Sequence, residues 1–409
     1  MDDRIDMIYD KRLNSFSRKY LVKGNERLVK NPLLFDKELD EILSEIGELL
    51  LYHDGIAFHV YGENIPLAIL INVFGVKGIE ELMEQGAVKF VFNVPEVGYN
   101  VDEIPGIIPL VSMSGFTSKA HSDPEESAAL GLNWLLHPLH EKQKRRIIKK
   151  SLNAYQVPRA AISADAAKFG VDGYNNDLFK SLGLPKQKEI TKLNLNERKL
   201  LCQLAGECVT MSILSELNYN THESFRTARV YRAEYANLYN ASAIEKMTDK
   251  LFRLEKLPNF KAMLRSGRLR LGDIPEMRSR RDSIRFRKWI ASCAADNDGQ
   301  EITKEYLNAI DNTKGLFDVE PYKFLKTLTV YALGAAVGSL AAGPMGTVLG
   351  GTAGALLNPL TDIGLNLFDT YVLSGIAKGW NPRHYFTKQI EPLSGDFSSR
   401  SGRNPHRQG

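Results

Sequence analysis

Between Lys326 and Asp362 the chain carries thirty-five residues without a charge, TLTVYALGAAVGSLAAGPMGTVLGGTAGALLNPLT. No other feature constrains the fold as tightly. Gly334 and Gly338 are four apart, and Gly346, Gly350 and Gly354 repeat that spacing. On a helix, a step of four lines these glycines along one stripe. A second helix can approach such a stripe backbone to backbone. In water each glycine costs a helix about 1 kcal/mol. Either lipid, where the backbone must satisfy itself, or a tightly packed protein core has to offset that cost. Gly343-Pro344 is a turn signal and divides the run into residues 327–342 and 345–361. A full membrane span takes about 20 apolar residues, roughly 17 at the lower limit. Each arm is therefore short, and the run reads as a helical hairpin. Lys323 and Lys326 precede it, and Lys378, Arg383 and Lys388 follow. Basic flanks at both ends keep both ends on the cytoplasmic side.

Over this run, and nowhere else in the chain, the sequence resembles the glycine-zipper segments of membrane-associated and pore-forming proteins. The resemblance implies that Gly334, Gly338, Gly346, Gly350 and Gly354 form a face for membrane packing or self-association. Beyond the run, Asp362, Asn366 and Asp369 fall at helical spacing. They read as the solvent side of an amphipathic helix, with a polar pore lining as the alternative. Trp380 and Tyr385, with Arg383 and Lys388 nearby, suit either a membrane interface or an aromatic cap on a core.

The rest of the 409 residues is ordinary in composition, 43% hydrophobic and 25% charged. That excludes a disordered, collagen-like or disulfide-framework chain. The length predicts two or three domains at about 150 residues each. A mean hydropathy of −0.25 suits a mainly soluble protein with one membrane element at most. The net charge of +4 is too small to argue nucleic-acid binding by itself. Cys202, Cys208 and Cys293 form no CxxC pair, so a reducing, cytoplasmic setting is the natural reading. Charges interrupt every apolar stretch of MDDRIDMIYDKRLNSFSRKY, so no secretion signal is read there. Residues 394–409 are rich in Ser, Gly and Arg and read as a disordered tail.

The element pattern predicts an α+β protein. Residues 1–185 read as a mixed α/β domain, 190–320 as a helical domain, and 321–393 as the glycine-rich hairpin with an amphipathic helix. Residues 33–51 have helical periodicity. IAFHVY and AVKFVFNV have strand character. Pro66 opens a helix to Phe74, and a second helix ends at Gly86. Residues 107–113 are a further strand candidate. Ser122-Asp123-Pro124-Glu125-Glu126 is a helix start, with the helix expected to run to Leu136. Later helices are expected at 196–214, 243–254, 258–267 and 282–294, with the boundary between the halves near Gly183-Leu184-Pro185.

Two basic stretches stand out. KQKRRIIKK, residues 142–150, holds six basic residues in nine. It can touch phosphates or anionic headgroups, or be a solvated face with Ile147 and Ile148 on its buried side. In RSRRDSIRFRKW, Arg278, Arg281, Arg285 and Lys288 have helical spacing, and Phe286 and Trp289 can pack or stack on bases. These four are the candidate nucleic-acid or phosphate contacts. The bland alternative pairs them with acids elsewhere. His137, His140 and Glu141 depart from H-E-x-x-H in spacing and order, so no metal is expected. There is no Walker motif, no GxGxxG after a strand and no GxSxG elbow. No cofactor is expected, and no catalytic motif is found.

The layout leads to a first expectation: a membrane-associated cytoplasmic effector whose hairpin inserts or oligomerises in the inner membrane, as in toxin or anti-phage defence. The alternative is a soluble multidomain binding protein that contacts nucleic acid or a protein partner through its basic helices.

Overall fold

The computed structural model describes residues 7–23, 37–93, 96–100, 109–113, 118–159, 161–223, 225–231, 248–249, 251–253, 255–257, 259–294 and 380–394. The glycine-rich run and residues 395–409 of the C-terminal tail lie outside the described residues, while Ser394, expected in the tail, ends a helix. The architecture is α+β, as the pattern predicts, with a five-stranded parallel sheet and many helices. Two compact units divide at Ser242 and Ala243, whereas the sequence places a boundary near 185. Two elements beyond residue 185 account for the difference: one helix covers the sheet and one strand extends it.

In the first unit, β1 (Met7–Asp10) leads into α1 (Arg12–Phe16), then α2 (Lys37–Tyr52) and β2 (Gly55–Val60). After α3 (Ile65–Glu84) comes β3 (Val88–Phe92). A separate antiparallel hairpin follows, β4 (Glu96–Tyr99) with β5 (Leu110–Met113). The strand expected at 107–113 is thus present, but in the hairpin rather than the main sheet. Next are α4 (Pro124–Gly131), α5 (Glu141–Leu152) and β6 (Tyr155–Gln156). The unit closes with α6 (Ile162–Asn175), α7 (Leu195–Leu217) and β7 (Asn220–Thr221).

The sheet order is β6-β3-β2-β1-β7, all parallel. The chain steps in one direction from β1 to β6, then crosses to the far side of β1 for β7. Crossovers between parallel strands are right-handed, so this reversal puts the last crossover on the opposite face. Met7, Tyr9, Ala57 and Val91 accordingly share a core with α6 and α7, including Ala166, Leu201, Leu204 and Cys208. The alternate residues Ile8, Ile56, Phe58, Val88 and Phe90 are fully buried on the other face, which α2 and α3 cover. A sheet covered on both sides needs apolar residues in both registers, which is why AVKFVF shows no polar alternation.

Local signals set the helix ends. Asn64 caps α3 by accepting from the Leu67 amide. Gly75, at φ 74°, breaks α3 into the two helices the sequence predicts. Asp123 caps α4 from the amide of Glu125, but this helix stops at Gly131 rather than Leu136. At Gly131 the helix packs against the Asn64 carbonyl so closely that a Cβ would collide with it. Asn194 and Glu197 form a reciprocal capping box for α7. Among the described residues α7 is the one helix long and apolar enough to cross a membrane. Its Leu201, Leu204, Ala205 and Cys208 are fully buried in the sheet core.

The second unit is helical where described: α8 (Phe260–Arg265), α9 (Ile274–Ser279), α10 (Arg281–Ala294) and α11 (Arg383–Tyr385), which winds on to Ser394. Its core is aromatic. Phe286 stacks on Tyr385 with ring centroids 4.1 Å apart, and Phe252, Phe260 and Phe386 meet edge to face. Trp380 is buried and donates its indole N–H to Asp282 at 3.0 Å. These rings form the aromatic core of the unit, the second of the two roles the sequence left open for Trp380 and Tyr385.

Candidate functional site at the carboxyl edge of the sheet

In open parallel sheets, ligands settle outside the carboxyl ends of the strands, where the crossovers part to opposite faces. Here that point lies between β1 and β7. Four ionisable residues from the ends of these strands meet there: Asp10, the last residue of β1, and Lys11 after it, with His222 and Glu223 after β7.

Asp10 is buried. One of its oxygens accepts from the Leu13 amide at 3.3 Å, and the other from Arg12 Nε at 2.7 Å. Arg12 also reaches Glu45 on α2 at 2.6 Å, so one guanidinium bridges two carboxylates. Burial lowers the Arg12 pKa, yet Asp10 and Glu45 outweigh burial and hold it above its ordinary value. Lys11 pairs with Glu223 at 2.7 Å, joining the ends of β1 and β7. Arg18 lies 3.6 Å from Glu63 and over the Tyr61 ring. Burial lowers the Arg18 pKa against the pull of Glu63.

Two histidines lie among these charges. His59 of β2 donates from Nε2 to the Asn93 carbonyl at 3.0 Å, which leaves Nδ1 as an acceptor facing the Asn14 amide at 3.5 Å. Burial drives its pKa down to about 4. His222 packs edge-on against His53 and is likewise pushed down to about 4, by burial and then by His53. Both rings are neutral at pH 7. The Tyr9 hydroxyl, fully buried, is pushed up by burial and then by Glu223 and Asp10.

The edge therefore sets three cations, Lys11, Arg12 and Arg18, against four carboxylates, Asp10, Glu45, Glu63 and Glu223. Such a balanced network positions polar groups. It differs from a phosphate cradle, which presents surplus positive charge and open amides, because here Asp10 takes the Leu13 amide in the first turn of α1.

Further along the edge, the Tyr155 hydroxyl meets Asn64 at 2.9 Å and Ser127 at 3.0 Å, and Ser127 donates to the Gly62 carbonyl. Burial pushes Tyr155 up to about 12. Ser118 Oγ lies 3.2 Å from His121 Nδ1 within one turn. No group of three metal-ligating side chains occurs among the described residues. The Cys208 thiol, pushed up to about 12 by burial, has the character of a core residue.

The sequence-predicted residues lie elsewhere. Gly334, Gly338, Gly346, Gly350 and Gly354 fall outside the described residues. Of the four basic candidates, Arg281 and Lys288 are exposed on α10, while Arg278 and Arg285 are buried. The carbonyl of Arg278 accepts from Arg287 at 3.1 Å, and the Arg285 guanidinium lies 5.9 Å from the Trp380 ring centre. Phe286 and Trp289 are buried in the aromatic core, so of their two proposed roles the structure gives them packing. Sequence reasoning missed Asp10, Arg12, His59 and His222 as a group. The one local hint was a histidine inside the strand-like run IAFHVY.

Comparison of the chain with protein-family models, curated proteins and solved structures returns no match.

Proposed function

We propose that this chain is a membrane-associated cytoplasmic effector or regulator, in which the glycine-rich segment inserts or oligomerises in the inner membrane. The α/β unit is its receiving part, with a ligand taken at the carboxyl edge between β1 and β7. Toxin action or anti-phage defence is the setting such a layout fits. One observation carries the reading: thirty-five residues without a charge, with Gly334 and Gly338 four apart in one arm and Gly346, Gly350 and Gly354 four apart in the other. The role of α7 supports it, since that long apolar helix already covers the sheet. The test is fractionation of the full chain beside a variant with Gly338, Gly350 and Gly354 changed to Leu. The full chain is expected in the membrane pellet, resistant to carbonate, while the variant loses the membrane effect and keeps a folded soluble part. A full chain that stays soluble, or a variant that associates unchanged, sinks the reading.

The second reading is a soluble binding protein that uses its basic helices. Arg281 and Lys288, exposed on α10, favour it. It predicts steeply salt-dependent binding to nucleic acid. Binding indifferent to salt counts against it.

A further inference from the structure

The basic helix α5 is the other charged surface of the first unit, and the structure sorts five of its six cations into two rows, with Lys144 half-buried and in neither. Ile147 and Ser151 are fully buried and fix which side faces the protein. Beside that side, Arg146 reaches Glu80 at 2.5 Å and Lys150 reaches Glu84 at 2.6 Å, so both cations are held by α3. On the outer side Lys142, Arg145 and Lys149 are exposed and have no ion-pair partner among the described residues. Their spacing of three and four places them on one stripe, about 10 Å long at the helical rise.

We propose that this outer stripe of α5 is a docking surface for an anionic lipid bilayer. The choice of partner rests on the membrane reading above; the geometry of the stripe does not. Three unpaired cations in a line, on a helix whose opposite side is anchored in the fold, match a plane of negative headgroups. A helix in a nucleic-acid groove presents both flanks to phosphates. Here one flank carries Glu80 and Glu84, and Glu84 is itself exposed. Glu141 stands at the start of the helix. Helix α5 contains no aromatic residue on which a base could stack. The acids confine the positive field to one side, as contact with a flat surface requires. Each cation near such a surface strengthens binding by about fivefold, so three give on the order of 100-fold.

The experiment is flotation of the full-length protein with vesicles of phosphatidylcholine alone, or with about 30% phosphatidylserine, at low and high salt. The full chain is expected to favour the anionic vesicles by on the order of 100-fold at about 0.1 M salt, and to lose that preference at about 0.5 M. A K142Q/R145Q/K149Q variant is expected to bind neutral vesicles as before and to lose the anionic preference. Arg146→Gln, from the held row, is expected to keep most of it, and circular dichroism checks that each variant stays folded. A triple variant that retains the preference, or a full chain that shows none, overturns the proposal. Binding to neutral vesicles without anionic preference overturns it while the hairpin reading stands. Anionic preference without any binding to neutral vesicles upholds it while the hairpin reading falls. A 20-base-pair duplex that binds more tightly than the anionic vesicles, and is released by the same triple variant, assigns the stripe to nucleic acid and overturns the lipid assignment.

Discussion

The two basic helices look alike as text and differ as structure. KQKRRIIKK becomes α5, which keeps Lys142, Arg145 and Lys149 in water and, among the described residues, pairs Arg146 and Lys150 with carboxylates on α3. RDSIRFRKWIASCA becomes α10, which turns Arg285 and Arg287 inward beside Phe286 and Trp289. The number of cations does not set their exposure. The apolar residues between them do: two adjacent isoleucines orient α5 on one narrow line, whereas Ile284, Phe286, Trp289 and Ile290 spread around much of α10. Arginine tolerates that second placement because its weakly hydrated planar head can lie against a ring. Lysine, a compact and strongly hydrated charge, stays outside, as Lys288 does.

The comparison can be broken at several strengths. The largest effect is expected from Phe286→Ala, which removes the ring stacked on Tyr385 and costs about 3–5 kcal/mol. A loss of unfolding free energy under a third of that by chemical denaturation would show that the aromatic core does not orient α10. Next is Ile147→Ala, expected to cost about 2–4 kcal/mol by opening a cavity under α5. A negligible loss would mean the stripe is not aimed by this anchor.

Acid provides a third test, because it places a new charge inside the first unit. The pKa of His59 falls from 6.5 unfolded to about 4 folded. The stabilising difference is then complete above pH 6.5 and is lost as pH drops toward 4. The loss is on the order of 3 kcal/mol. His59→Gln should flatten that part of the stability curve, and a variant that keeps the slope would assign it to other groups. The smallest effect belongs to K142Q/R145Q/K149Q, within about 0.5 kcal/mol of the parent in the same denaturation assay. A larger loss would show that these cations hold the fold rather than face water.

Much of the architecture was legible for physical reasons. Strands β2 and β3 are dense in β-branched and aromatic residues, and capping side chains announce α4. The turn at Gly75 appears as an interruption between two apolar helical runs. Strand β1 was not legible: four residues between charged neighbours carry no periodicity, yet they pair on both sides within the sheet. The two-residue strands β6 and β7 have no pattern to show, and small residues and glycines blur the period of α6. The carboxyl-edge network was hidden for a different reason. Asp10, Glu45, His59 and Glu223 are scattered over more than two hundred residues, and only parallel register brings them together. Across α9 and α10 the sequence showed the spacing of Arg278, Arg281, Arg285 and Lys288 but not which of them faces inward, because that depends on rings contributed from residue 380 onward.

The pairing of Ile8 with Asn220 has a consequence for how the protein is made. Strand β1 leaves the ribosome before the other strands of the sheet, and its outer edge acquires its partner β7 only after roughly two hundred further residues. At ordinary synthesis rates that interval is on the order of ten seconds or more. Throughout it, the nascent chain displays an apolar strand with an open side, a template for any extended neighbour. The charged residues around β1, Asp6 before it, Asp10 at its end and Lys11 and Arg12 after it, confine that open side to a few residues until translation delivers β7.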